Sequence, residues 1–144
     1  MNMRKGNYKI FLLYVFTPLV LGGIIGIITS SESSNYDGIV PGFLFPIIWS
    51  ILYILMGIAS YLIRDNRRLI DIYIVNLVVN LLWPIFFFSF GFESFAFFWI
   101  LLLILIVGYM IYRFYLENRI SAYLLIPYLL WIIFASILNL MEIM

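Results

Sequence analysis

The chain has 144 residues, of which 66% are hydrophobic and 10% charged, and it contains neither cysteine nor histidine. Soluble domains carry about 25% charged residues, so this composition excludes a water-soluble fold and indicates an integral membrane protein. The two missing residue types exclude disulfides, thiol chemistry, and haem or zinc sites built on Cys or His, and a net charge of +1 gives no indication of a nucleic-acid partner.

Five apolar runs follow one another along the chain. Each is close to the roughly 20 residues that a helix needs to cross the hydrocarbon core of a bilayer. In chain order the runs are 8–29, 42–63, 69–90, 95–115 and 122–141. The sequence therefore predicts an all-α membrane protein, a five-transmembrane-helix bundle that forms a single domain over residues 1–144.

The first run follows Arg4 and Lys5 and superficially looks like a signal peptide. Its apolar part is longer than the core of a signal peptide, and no clear cleavage site follows, so we expect a retained helix. Gly22 and Gly26 form a GxxxG pattern, which lets another helix approach closely. Packing inside the bundle is a simpler interpretation of this pattern than a dimer seam.

Basic residues mark one side of the predicted bundle. With five spans, all of them lie at the N-terminal end of the chain or at the second and fourth connections, including the run ends next to them: Arg4, Lys5, Lys9, Arg64, Arg67, Arg68, Arg113 and Arg119. Cytoplasmic loops carry the excess of Lys and Arg in membrane proteins. The N-terminus is therefore predicted to be cytoplasmic and the C-terminus outside.

Three of the runs sort their polar and aromatic residues onto one helical face, because these residues recur at steps of three and four. The second run carries Pro46, Trp49, Tyr53, Gly57 and Ser60, the third carries Tyr73, Asn76, Asn80, Trp83 and Phe87, and the fifth carries Tyr128, Trp131, Ala135 and Asn139. We expect these stripes to face the interior of the bundle. The simpler interpretation is that the asparagines then form hydrogen bonds between helices. The alternative is that they form the polar end of a ligand pocket.

The fourth run has no such stripe, which is typical of an outer, lipid-facing helix.

In the fifth run, Ser121 is a potential N-cap and Pro127 predicts a kink. Apart from tyrosine, ionisable side chains occur only near the ends of the runs. The absence of ionisable side chains from the middle of the runs argues against proton-coupled transport and against an ion channel built on charged rings.

Three segments carry a resemblance to a known family. PGFLFPIIWSILYILMG (41–57), NLLWPIFFF (80–88) and LLIPYLLWIIFASILNL (124–140) resemble, in order and spacing, the signature segments of the TspO/MBR family. This family comprises the tryptophan-rich sensory proteins and the translocator protein, also called the peripheral-type benzodiazepine receptor. The resemblance implies a five-helix bundle, usually a homodimer, in the cell membrane of a bacterium or archaeon. It also implies a cavity that opens toward the loop between the first two helices.

The resemblance further implies that porphyrins, other tetrapyrroles or other flat hydrophobic molecules bind in this cavity, as ligand or substrate rather than as a cofactor. The implied ligand-binding residues are Tyr36, Trp49, Tyr53, Asn80, Trp83, Phe86, Phe87, Tyr128, Trp131, Phe134, Ala135 and Leu138. Two alternatives stay open. One is an enzyme that degrades porphyrin in light, and the other is a transporter or structural membrane component without a small ligand.

Overall fold

All five apolar runs form helices, as the sequence predicts. The computed structural model describes residues 5–29, 44–89 and 92–144. Its helices are α1 (Lys5–Ile28), α2 (Leu44–Leu62), α3 (Arg67–Pro84), α4 (Glu93–Glu117), α5 (Arg119–Leu124) and α6 (Ile126–Ile143). They provide five segments that are long and apolar enough to cross a membrane, with α5 and α6 together forming the fifth.

Helix α1 packs on α2, and glycine lets the two backbones approach closely. A Cβ atom on Gly57 would lie 2.6 Å from both the carbonyl oxygen of Tyr14 and the Cα of Val15. On α1 itself, Gly22 faces the ring of Tyr53, whereas a Cβ on Gly26 would meet open space. The expected packing within the bundle therefore involves only the first glycine of the GxxxG pattern.

Helix α4 is less peripheral than its sequence suggests. It packs against α3 and α6, and one continuous stripe of its residues is almost completely buried: Ala96, Ile100, Leu103, Val107, Met110 and Phe114. The most lipid-exposed span is α1, in which 11% of the apolar segment is buried against 28% in α4. Because α4 is the second least buried of the five spans, the expected outer position is confirmed in part. Its composition, apolar on all sides, does not show which face is buried.

Proline interrupts the third and fifth spans. After Pro84, α3 continues as a single π-helical turn, Ile85–Ser89, and the proline leaves the carbonyl of Asn80, four residues earlier, without its usual intrahelical donor. The fifth span breaks at Leu125, and Pro127 lies in the first turn of α6, where no N–H is needed. The predicted interruption at Pro127 is thus confirmed.

The predicted N-cap of the fifth span is wrong. Asn118 caps α5, because its side chain accepts a hydrogen bond from the backbone N–H of Ser121 (3.1 Å). The Ser121 hydroxyl instead donates to the carbonyl oxygen of Ala59 in α2 (2.7 Å). Ala59 lies among the last four residues of α2, whose carbonyls have no donor within the helix. Ser121 therefore caps the end of a different helix from the one expected.

Candidate functional site

Aromatic rings from α2 and α6 meet in the interior of the bundle. Trp49 stacks on Tyr53, with ring centroids 5.6 Å apart. It also makes edge contacts with Tyr128 and with Trp131, both at 6.3 Å, and Phe45 contacts Trp131 at 6.0 Å. We call these five residues the Trp49 cluster. The aromatic stripes predicted on the second and fifth runs thus face each other.

A chain of buried hydrogen bonds joins this cluster to α3. The Tyr53 hydroxyl donates to Asn80 Oδ1 (2.7 Å), and Asn80 Nδ2 donates to the Tyr128 hydroxyl (2.9 Å). That hydroxyl in turn donates to Asn76 Oδ1 (2.7 Å), and Asn76 Nδ2 lies 3.7 Å from the sulfur of Met56. Both asparagines therefore find partners on other helices, which satisfies amides that would be unfavourable in a lipid environment.

Trp83 forms a second aromatic layer next to the Trp49 cluster. It is 2% exposed, its indole N–H donates to Asn139 Oδ1 (3.1 Å), and its ring stacks on Phe87 at 5.0 Å. Phe88 connects the two layers, with centroids 6.0 Å from Trp83 and 5.5 Å from Phe45. Phe87 and Phe88 also contact each other at 4.9 Å, so the π-helical turn holds both rings beside Trp83.

Three of the remaining predicted site residues lie on α6. Ala135 and Leu138 are buried on its inward face, whereas Phe134 is 38% exposed and touches the cluster only through Trp131, at 5.5 Å. Tyr36 lies outside the described residues.

Phe86 does not join the other predicted site residues. Its ring contacts Phe95 (4.9 Å) and Trp99 (5.2 Å) on α4. The indole N–H of Trp99 donates to the carbonyl oxygen of Val79 (2.8 Å). These residues form a separate aromatic group between α3 and α4, so Phe86 belongs to a helix contact rather than to the Trp49 cluster.

Two buried donors are unsatisfied in the part of the chain that the structure describes. The indole N–H of Trp131 has no acceptor, in contrast to those of Trp83 and Trp99, and the Tyr73 hydroxyl lies near Ser60 without forming a hydrogen bond of good geometry. A buried donor without an acceptor is unfavourable by about 1–3 kcal/mol. Trp131 is therefore the residue of the Trp49 cluster with a buried donor that has no acceptor among the described residues.

The rings of the cluster already contact one another. A planar molecule inserted between two rings needs about 7 Å, twice the ~3.5 Å contact distance of carbon atoms, whereas neighbouring rings here are 5.6–6.3 Å apart at their centroids. A flat ligand would therefore lie against the part of the cluster that is not fully buried, the ring of Trp131. Among the described residues, no group of three or more His, Cys, Asp or Glu side chains could hold a metal ion. The site itself offers indole, phenol and amide groups.

Sequence reasoning missed several residues that complete the site. Phe45 lies one helical turn before Trp49, Asn76 one turn before Asn80, and Asn139 one turn beyond Ala135. The three- and four-residue spacing already placed Asn76 and Asn139 on the inward stripes, and it could have added Phe45. No pattern indicated Met56 as a partner, because an apolar residue on an apolar helix carries no positional signal.

Comparison with known proteins agrees with the family resemblance seen in the sequence. Residues 14–143 match the TspO/MBR family. The chain is 36% identical over 104 residues to the Tryptophan-rich protein TspO of Archaeoglobus fulgidus, an alignment that covers 69% of this chain and 67% of the relative. It is 31% identical over 111 residues, with the same coverage, to TspO of Chlorobaculum tepidum. It is also 30% identical over 146 residues to Protein CrtK of Rhodobacter capsulatus, covering 92% and 90% of the two chains.

Proposed function

This chain belongs to the TspO/MBR family, and from that membership we propose that it binds porphyrins or other flat, apolar molecules against its Trp49 cluster. The protein is a multi-pass membrane protein, and we place it in the cell membrane of a bacterium or archaeon, since the relatives come from both groups. Binding rather than chemistry is proposed, because indole, phenol and amide groups stack on a ligand and form hydrogen bonds with it.

The unsatisfied indole of Trp131 carries the proposal. Its N–H is buried and has no acceptor within the described residues, while the ring itself is only half-buried. A carboxylate or ring nitrogen of a porphyrin would satisfy this donor, and the macrocycle would stack on the neighbouring aromatic surface. Burial of apolar area supplies most of the affinity, and the hydrogen bond orients the ligand.

The position of the cluster along the bundle predicts from which end of the bundle a ligand enters. Phe45 and Trp49 lie in the first two turns of α2, whereas Arg64 follows its other end. At 1.5 Å per residue, Asn76 and Asn80 lie about 14 and 20 Å from the start of α3, near the middle of a 30 Å core. The aromatic side of the site therefore lies toward the end of the bundle away from the basic residues, and the amides lie nearer the middle of the bundle.

The proposal is tested by titrating the purified protein with protoporphyrin and following the Soret absorbance of the porphyrin. This readout does not depend on which tryptophan has been replaced. We expect saturable binding, and we expect Trp131→Phe to weaken it about fivefold to tenfold, because the variant keeps an aromatic ring but loses some stacking surface and a hydrogen bond of about 1 kcal/mol.

Trp99→Phe is the matched control, because it also removes one indole N–H but in the aromatic group between α3 and α4. Its porphyrin affinity should equal that of the unaltered protein. Non-saturable binding, or equal affinities of the two variants, would exclude the Trp49 cluster as the site. Repeating the titration in darkness and in light would detect degradation of the porphyrin as a loss of the Soret band.

A further inference from the structure

The arginines of the described segments lie far from the Trp49 cluster. Trp131 is the central residue of the fifth span, Arg119–Ile143, so at 1.5 Å per residue it lies roughly 18 Å from Arg119. By the same measure Trp49 lies roughly 20 Å from Arg64, which follows α2. The other described arginines begin α3 or lie near the end of α4, at the same end of the bundle. No guanidinium group is therefore within the roughly 4 Å of an ion pair with the cluster.

The rest of the chain adds no cation on the side of the cluster. Lys9 belongs to the basic end, because the ring of nearby Phe11 contacts Tyr61 close to the end of α2 (5.1 Å). Residues 30–43, between α1 and α2, and residues 90–91, between α3 and α4, contain no lysine or arginine. A ligand at the cluster therefore meets no basic side chain from this side of the sequence.

Acidic side chains, in contrast, occur at the end of the bundle that holds the cluster. Glu93 begins α4 and is half-buried, and its backbone carbonyl accepts a hydrogen bond from Asn139 Nδ2 (2.8 Å). Asn139 also accepts the indole N–H of Trp83, so the start of α4 is fixed to the second aromatic layer. Glu142 is exposed three residues beyond Asn139. The side-chain charges of the described residues at this end are thus all negative.

Helix dipoles do not compensate for the absence of a basic side chain. Helices α2 and α4 begin at the end that holds the cluster, whereas α1, α3 and α6 end there. Each helix N-terminus carries about half a positive charge and each C-terminus about half a negative charge. Two partial positive charges are therefore opposed by three partial negative ones.

Building on the proposed binding at the Trp49 cluster, we propose that the group bound by the Trp131 N–H is uncharged. The site would then select planar molecules without a carboxylate, such as porphyrin esters, over porphyrin dicarboxylates. A carboxylate moved from water into an apolar site is unfavourable unless a cation or several donors compensate for it. A single neutral indole N–H does not provide this compensation. A carbonyl oxygen accepts the same hydrogen bond without bringing a charge into the site.

Protoporphyrin and its dimethyl ester form a matched pair of ligands for the test. The ester keeps the macrocycle and the carbonyl oxygens and removes both negative charges. The full-length protein is titrated in lipid nanodiscs, and protein-free nanodiscs measure how much of each porphyrin dissolves in the lipid. After this correction we expect the ester to bind about tenfold more tightly than the dicarboxylate.

Phe134→Lys tests the selection by adding a cation. The Phe134 ring is partly exposed and lies 5.5 Å from that of Trp131. We expect this variant to shift the relative affinity about tenfold toward protoporphyrin, as for a charge-assisted contact to its carboxylate. Phe134→Gln is the matched control, because it also removes the ring but adds no charge, and it should preserve the preference for the ester.

Glu93→Gln is a second, milder test that does not place a charge within a span. Removing this carboxylate should narrow the preference for the ester about twofold, since a like charge at this end is lost. Glu117→Gln is its control, because the Glu117 carboxylate contacts Asn66 at the basic end (3.4 Å). The control should not change the preference. If Phe134→Lys does not fold, Glu93→Gln alone decides.

The possible outcomes separate this proposal from the binding function on which it rests. If neither porphyrin binds saturably, binding at the Trp49 cluster fails, and charge selection fails with it. If both bind saturably but with equal affinity, or protoporphyrin binds more tightly, the charge selection alone is overturned. An unchanged preference in Glu93→Gln and in a folded Phe134→Lys would overturn it as well.

Discussion

The Tyr128 hydroxyl occupies the centre of the buried polar network. It accepts a hydrogen bond from Asn80 and donates one to Asn76, so a single oxygen satisfies one amide group on each of two asparagines. Tyr53, in contrast, forms one bond, to Asn80. In a fully buried site an amide group that loses its partner finds no water to replace it. The two tyrosines should therefore differ in their contribution to stability although their rings are packed in one cluster.

We expect Tyr128→Phe to lower the free energy of unfolding by about 1–3 kcal/mol, because it leaves two amide groups unsatisfied, and Tyr53→Phe to lower it by about half as much. Equilibrium unfolding in mixed detergent–SDS micelles measures both values. Tyr123→Phe is the control, since the Tyr123 ring is 58% exposed, and it should leave stability unchanged. Equal stabilities of Tyr128→Phe and Tyr53→Phe would contradict the sharing of the hydroxyl.

Sequence spacing predicts which face of a helix these polar residues occupy, but it does not predict their partners. The interval of four between Asn76 and Asn80 placed both amides on the interior stripe of α3. Whether Asn80 meets Tyr53 or another residue depends on how deep each helix sits relative to its neighbour. That depth follows from contacts between α2 and α3 such as Asn76 against Met56, which no periodicity reveals.

At the scale of helices, proline and glycine act together where α1 crosses α2. Pro18 has no N–H, so the carbonyl of Tyr14, four residues earlier, lacks its usual intrahelical donor. This carbonyl points at Gly57, whose missing side chain lets the backbones meet. A Cα–H···O contact at this close approach would be weak, but within a bilayer it would partly satisfy an oxygen that has no water to bond with.

Gly57→Ala should separate α1 from α2 and lower the free energy of unfolding by about 1–3 kcal/mol, as for other overpacked sites. Gly26→Ala is the matched control on the other helix, because its Cβ meets open space. This control should be neutral or more stable by up to about 1 kcal/mol, the difference in helix propensity between the two residues. Thermal unfolding in detergent measures both, and a neutral Gly57→Ala would show that α1 does not need the close approach.

The interruptions of the helices were predictable only in part. Pro127 in the fifth run indicated a break, and the break lies two residues before it, at Leu125. The role of Ser121 was not predictable, because a serine at the start of an apolar run has the same local signature whether it caps its own helix or a neighbouring one. Only the packing of α5 on α2 brings its hydroxyl to Ala59.

At the scale of the whole molecule, the five spans place the basic residues of the described segments at one end. Arg64 follows α2, and Arg67 and Arg68 begin α3. Arg113 and Arg119 flank the connection from α4 to α5. Length and composition were enough to predict this arrangement, because crossing a bilayer imposes a minimum helix length whatever the packing. The ranking of the helices by burial was not predictable, as the contrast between α1 and α4 shows.

The orientation in the membrane stays a prediction that single cysteines can test. The chain has no cysteine, so Asp65→Cys reports on the connection between α2 and α3, and Met144→Cys reports on the C-terminus. With a membrane-impermeant maleimide, we expect Met144→Cys to be labelled in intact cells and Asp65→Cys only after permeabilisation. Labelling in the reverse order would mean that the basic end faces outward.

The π-helical turn after Pro84 has a consequence for how this protein tolerates changes in length. Removing one residue from an ordinary transmembrane helix rotates everything beyond it by about 100° and exposes its interior face to lipid. A π turn holds one residue more than an α turn, so deleting one residue within Ile85–Ser89 would tighten it into a regular helical turn. The helix before the turn would keep its orientation, whereas the phenylalanine rings that pack beside Trp83 would change position.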